Sequence, residues 1–201
     1  MSTGAPVRAR GPLVLADISG YTSFLQAVAA AHIEDADTQV PDAYAMMSTL
    51  LDGIVERMIP PFTFSKLEGD AVFAFATDDA VVPTGAAMLA CLADCYAEFR
   101  RRNDAGLELS TCSCSACSMG NGLDLKFIVH AGSFVVQSIA GGRELVGPDV
   151  VMAHRLLKTR AAEVAGSGAY ALITAPAAER FEVPTADARP LVIDFLPSWD
   201  R

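Results

Sequence analysis

The spacing of apolar positions along the chain alternates between a strand period and a helix period, which predicts an α+β fold. "PLVLAD" (12–17) is an apolar run that suits a buried strand and stops at Asp17. From about Tyr21, residues Phe24, Leu25, Val28 and Ala29 share one helical face, and the pattern frays in "HIEDAD". A second helix is expected from about Pro41 to Met58, because Pro41 fits a first turn and "IPP" stops the run. "FTFSKLEGDAVFAFAT" reads as a hairpin turning at Glu68-Gly69, followed by a long helix from about Val82 to Arg102. "NDAGLELSTCSCSACSMGNG" reads as a long loop, a cysteine-rich insertion at about 103–122.

Beyond it, "LDLKFIVHAGSFVVQSIAG" predicts two strands joined near Gly132-Ser133, with "GRELVGPD" as a turn-rich link. "VVMAHRLLKTRAA" predicts a helix, "YALIT" a short strand, "APAAERF" a short helix and "RPLVIDFL" a last strand. Hairpins mixed with crossover helices suggest a ferredoxin-like sandwich, a mainly antiparallel sheet with helices on one face. Residues 1–11 are expected to be a disordered tail and 12–201 a single domain.

Composition narrows the function classes. The 201 residues are 52% hydrophobic and 19% charged, as in a folded globular domain. No apolar run approaches the roughly 18 residues of a membrane span, and the N-terminus lacks a secretory apolar core. A cytoplasmic protein with no membrane partner is expected. A net charge of −9 with no basic stripe argues against nucleic acid. Arg100 to Arg102 read as the cationic last turn of a helix.

Candidate chemistry starts at Asp17. A strand that ends in an acid and turns through Ser19-Gly20 into a helix can build a cation or phosphate site, with Ser19, Gly20, Tyr21 and Thr22 at the helix start. The same acid can equally be a helix cap, and Asp70 a hairpin turn residue. Residue types alone do not choose.

Four segments in order choose. "LVLADISGYTSFL", "SKLEGDAVFAF", "FIVHAG" and "ELVGPDVVMAHRL" resemble the class III adenylate/guanylate cyclase catalytic domain over roughly residues 12 to 195. The resemblance implies the cyclase-type α+β fold and a site for a nucleoside triphosphate with Mg²⁺ or Mn²⁺. It makes Asp17, Ile18 and Asp70 metal-site residues, and gives phosphate oxygens to the peptide groups of Ile18 to Thr22. It places Lys66 and Glu144 at the base and Arg155 at the developing charge on the α-phosphate. It also implies a C2 homodimer, because in that family the metal acids and the transition-state residues of one site come from two domains.

Two departures, Val151 and a missing late lysine, point to weak or lost cyclisation, and a third, Glu144, bears on base selectivity. Val151 stands where the family has an asparagine four residues before the arginine, and valine offers no hydrogen bond. Glu144 is one methylene longer than the family's aspartate. The late segments hold no lysine, and Arg189 is the nearby cation. A non-catalytic module that binds nucleotide, metal or a partner is the alternative.

The cyclase pattern does not contain "CSCSAC". Cys112, Cys114 and Cys117, separated by small residues, can turn three sulfurs to one point, as a zinc thiolate site requires. An iron–sulfur cluster or reduced thiols in a redox switch fit the same spacing. The fourth ligand is open among Cys91, Cys95 and His130. His32 reads as a solvated helix-end residue, His154 as a helix-face or site residue, and Trp199 as cover for an edge or interface.

Overall fold

The computed structural model describes residues 5–33, 40–80, 83–110, 112, 114–166 and 168–193. One sheet runs β2 (Thr63–Glu68), β3 (Ala71–Phe75), β1 (Val7–Ser19), β4 (Asp124–Ile139) and β5 (Gly142–Val146). These neighbours pair antiparallel, while β6 (Tyr170–Ile173) adds in parallel to the first half of β4. The α+β expectation holds.

On one face, Val14, Ala16, Ile18, Val72, Ala74, Leu125, Phe127 and Val129 pack against α1 (Tyr21–Ala31), α2 (Asp42–Met58), α3 (Gly85–Leu109) and α7 (Ala175–Arg180) through Phe24, Val28, Leu50, Ile54, Met88, Phe99 and Ala177. The opposite face was expected to lack helices. Instead Leu13, Leu15, Phe73, Phe75 and Ile128 pack against Val150, Ala153 and Leu156 of α5 (Pro148–Leu156). The sheet curls around this second core. The side chains of β2 and β5, strands at opposite ends of the order, meet as Lys66 and Glu144.

Tertiary contacts override several local signals. The first strand begins at Val7, not Pro12, because Ala76 N–H donates to Pro12 O and Asp78 N–H to Arg10 O, prolonging the pairing through "RGP". β4 is one strand, not two. Gly132 marks a close approach, since a Cβ there would lie 2.4 Å from Asp149 Cβ, and the Ser133 N–H donates to Asp149 Oδ2 at 2.7 Å. The actual hairpin turn is Ala140-Gly141, with φ of 51° and 82°, so the expected link "GRELV" is β5.

α3 continues seven residues beyond Arg102, to Leu109. Asn103 is buried and donates Nδ2–H to Gly120 O at 3.1 Å, and Gly106 lets Met46 approach. The expected loop is therefore helix as far as Leu109, and then α4 (Ser115–Ser118) and a 3-10 turn, Met119–Gly122. The helix expected over 150–162 divides at Thr159, whose hydroxyl donates to Leu156 O, and α6 (Ala161–Ala165) follows. The arginines are not a terminal turn. Glu98 lies on α3 with 6% exposure and accepts from Arg57, Arg101 and Arg102, tying α2 to α3. No strand forms over 189–193. The rest of that expected strand, and Trp199, lie outside the described residues.

Candidate functional site

Asp17 lies on β1 directly across from Lys126 of β4, and Lys126 Nζ donates to Asp17 Oδ2 at 2.7 Å. It does not cap α1. The N-cap is Gly20, at φ 86°, which has no side chain to cap the first turn. An α-helix leaves its first N–H groups without internal partners. Asp70 reaches the same place from the β2–β3 turn, where its carbonyl accepts from Ile18 N–H at 3.4 Å. Asp17, Ile18, Ser19, Gly20, Tyr21, Thr22, Ser23, Asp70 and Lys126 line one cavity of about 270 Å³. Burial, and then the Asp17 charge, raise the Asp70 carboxyl above its usual range, whereas Lys126 lowers it. One lysine against two carboxylates leaves a negative charge uncompensated. The donors are hard oxygens, as Mg²⁺ and Mn²⁺ prefer.

A second polar group gathers on the curled edge. Lys66 Nζ donates to Glu144 Oε2 at 2.7 Å and pairs with Glu68 Oε1 at 3.0 Å. These partners, Glu144 foremost, raise the lysine above its usual range. Glu68 also meets His154 Nδ1 at 3.1 Å, and the His154 ring lies edge-on to Phe73 with centroids 4.9 Å apart. Burial lowers the His154 imidazole. Lys66 and Glu144 are thus brought together as expected, with Glu68 and His154 as additions. Arg155 is half-buried on α5, and Val151 on the same helix is 57% exposed. Arg189 donates to Val164 O.

The cysteines form a third cluster. His32 Nε2 lies 3.6 Å from Cys112 Sγ, 3.4 Å from Cys114 Sγ and 3.6 Å from Cys117 Sγ. These four ligand atoms all lie within 4.8 Å of one another. The Cys117 N–H donates to Cys114 Sγ and is the first cause of its fall to about 6, while burial pushes Cys117 up to about 12. None of the three residues considered as fourth ligand joins. Cys91 and Cys95 turn to Arg57 O and Ile54 O of α2, and His130 Nδ1 lies 3.0 Å from Thr174 Oγ1. His32 holds that place. It was passed over as a solvated helix end, because nothing in the sequence links it to cysteines 80 residues away.

The fold is that of solved class III cyclase domains. An adenylyl cyclase from Pseudomonas aeruginosa, CyaB, superposes with a TM-score of 0.59 at 16% identity, covering 88% of this chain and 82% of its own. A bacterial light-regulated adenylyl cyclase gives 0.62 at 14% identity, over 87% of this chain and 45% of its own. A class III adenylyl cyclase-like ATP-binding protein from P. aeruginosa gives 0.56 at 16% identity, over 87% and 35%. Within that architecture, the model of a family described as a protein of unknown function, DUF2652, matches residues 47–165, and the chain belongs to that family. An uncharacterized protein of Mycobacterium tuberculosis, Rv2561/Rv2562, is 31% identical over 115 residues, 56% of this chain and 51% of that protein. The chain thus spans about half the length of that relative. No helix among the described residues is long and apolar enough to cross a membrane.

Proposed function

We propose that the chain binds a nucleoside triphosphate with Mg²⁺ or Mn²⁺ at the Asp17–Asp70 cavity and cyclises it slowly or not at all. The observation that carries this reading is the convergence of two carboxylates and the uncapped start of α1 on one polar cavity. Asp17, Asp70 and the Ile18 carbonyl would hold the cation. Such a cation neutralises phosphate charge and, in an active cyclase, activates the ribose hydroxyl. The N–H groups at Tyr21 and Thr22, in the first turn of α1 and so without partners inside the helix, suit phosphate oxygens. Lys126 holds Asp17 in place and offsets part of the acid repulsion.

The base would meet Lys66 and Glu144, and Arg155 would steady α-phosphate charge from a second copy in a C2 homodimer. An exposed Val151 supports slow or absent chemistry, because one lost preorganised hydrogen bond costs about 10²–10³ in rate. The ion pairs of Lys66 with Glu144 and Glu68 add to this, since a base must displace them. The second reading is a non-catalytic module that binds nucleotide, metal or a partner; one structural neighbour is described as an adenylyl cyclase-like ATP-binding protein.

Calorimetry with Mn²⁺ and a non-hydrolysable ATP analogue tests the assignment. Asp17→Asn combined with Asp70→Asn should abolish Mn²⁺ binding while circular dichroism stays that of the parent. A folded double variant that binds Mn²⁺ as the parent does would overturn the reading.

A further inference from the structure

We propose that His32, Cys112, Cys114 and Cys117 form a closed zinc site that fastens the C-terminal end of α1 to the connection between α3 and β4. The proposal does not depend on the nucleotide reading. Its first support is distance. Tetrahedral zinc, with bonds of about 2.3 Å to sulfur and about 2.0 Å to nitrogen, sets each N···S separation near 3.5 Å. His32 Nε2 lies 3.4–3.6 Å from all three sulfurs. Hydrogen bonding does not explain that convergence. One imidazole nitrogen carries either one hydrogen or one lone pair, so it cannot serve three thiols at once.

The donor set selects the metal. Three thiolates and an imidazole suit zinc and disfavour magnesium, calcium or manganese. Four protein ligands leave no open position, which makes the site structural rather than catalytic. Its surroundings are built for it. Cys114 caps α4 and accepts the Cys117 N–H at 3.3 Å, the kind of outer hydrogen bond that orients a ligand. Cys117 is buried in the larger core, with Cys112 and Cys114 packed against it. On binding zinc, each thiol gives up its proton to solvent.

The fastening also answers a structural need. α1 has 11 residues, of which only Phe24 and Val28 are buried, and a helix that short is marginal without tertiary support. His32 is its C-cap residue, and its N–H donates to Val28 O at 3.1 Å. A bond from this ring to the metal therefore acts directly on the end of the helix.

The test uses the full chain purified without chelator. About one zinc per chain is expected by elemental analysis. After exchange, Co²⁺ should give the intense ligand-field absorption of a tetrahedral, thiolate-rich site. Competition against a chromophoric chelator should show His32→Ala weakening zinc affinity on the order of 100-fold or more. His32→Cys should restore tight binding with a four-thiolate cobalt spectrum, a rescue that a merely packed histidine does not predict. Hydrogen exchange across α1 should slow when Zn²⁺ is returned to stripped protein. A chain that takes up no zinc at micromolar concentration, or a His32→Ala variant that binds it like the parent, overturns the site. Equal α1 exchange with and without zinc overturns the fastening.

Discussion

Replacing Lys126 with glutamine separates a cation site from a purely structural acid pair. Asp17 and Lys126 are 2.7 Å apart, with side chains 15% and 21% exposed, so solvent screens them only in part. A charge-assisted hydrogen bond of this kind contributes about 1.5–3 kcal/mol. For a chain of 201 residues each kcal/mol moves Tm by about 2–4 °C, so Lys126→Gln should lower Tm by roughly 3–12 °C without divalent metal. The loss also unmasks repulsion between Asp17 and Asp70, which the lysine now moderates.

Adding metal should offset part of the effect. Without the lysine, the cavity passes from one uncompensated negative charge to two. Mn²⁺ affinity measured without nucleotide should then rise on the order of tenfold or more, because a positive neighbour within a few ångströms has been removed. Saturating metal stabilises parent and variant alike, so a tenfold gain in affinity narrows the deficit by about 1.4 kcal/mol, roughly half of it or more. Differential scanning calorimetry with and without Mn²⁺, paired with titration calorimetry, reads both quantities. A Tm deficit of equal size in the two conditions, with unchanged Mn²⁺ affinity, would show that the carboxylates do not form a cation site.

Three further outcomes are expected. Asp70 has a raised pKa, so its ionisation costs stability as pH rises above 3.8; Asp70→Asn should raise the Tm of metal-free protein at pH 7, and the gain should vanish below pH 3.8 in melts across that range. Glu98 is held well below its ordinary 4.5, first by Arg101, so its contribution is present above pH 4.5 and lost as pH falls below it; Glu98→Ala should destabilise the chain in urea unfolding at pH 7 and markedly less in acid. Val151→Asn should raise any cyclic nucleotide formed from ATP or GTP with Mn²⁺, whereas parent turnover at an ordinary cyclase rate would refute the degenerate reading.

Strand and helix types were legible in the sequence because apolar period reports which face is buried. Register was not legible. "LDLKFIV" marks Lys126 as a polar position on a strand, but only the β1–β4 pairing sets it across from Asp17. Glu68 was hidden for the same reason, and the choice for His154 between helix face and site stayed open, since the two meet where a curled sheet brings β2 against α5. The glycines misled in a consistent direction. Gly132 suggests a junction between two strands and Gly106 falls in the stretch expected to be a loop, yet each permits a close approach to Asp149 or Met46 within an unbroken element. The three cysteines announced themselves by spacing, but a histidine from a distant helix end carries no local signal.

The two candidate cation sites share α1. Its first turn opens on the Asp17–Asp70 cavity and its C-cap residue is His32, about 16 Å along the axis at 1.5 Å per residue for 11 residues. A helix with two buried side chains is weakly held, so the free energy that positions its N–H groups at one end depends on what fixes the other. Stripping zinc should therefore weaken Mn²⁺ binding, by about fivefold or more for an ordinary coupling free energy of at least 1 kcal/mol. Linkage requires the reverse effect to be equal: saturating Mn²⁺ must tighten zinc by the same factor. The reciprocity guards against an artefact, because irreversible unfolding or aggregation on zinc removal would abolish Mn²⁺ binding outside the equilibrium cycle and leave the two factors unmatched. Paired titrations, Mn²⁺ into zinc-loaded and zinc-stripped protein and zinc into protein with and without Mn²⁺, measure both legs. Two factors of unity would show that α1 stays in place without the metal, and that the two sites are independent.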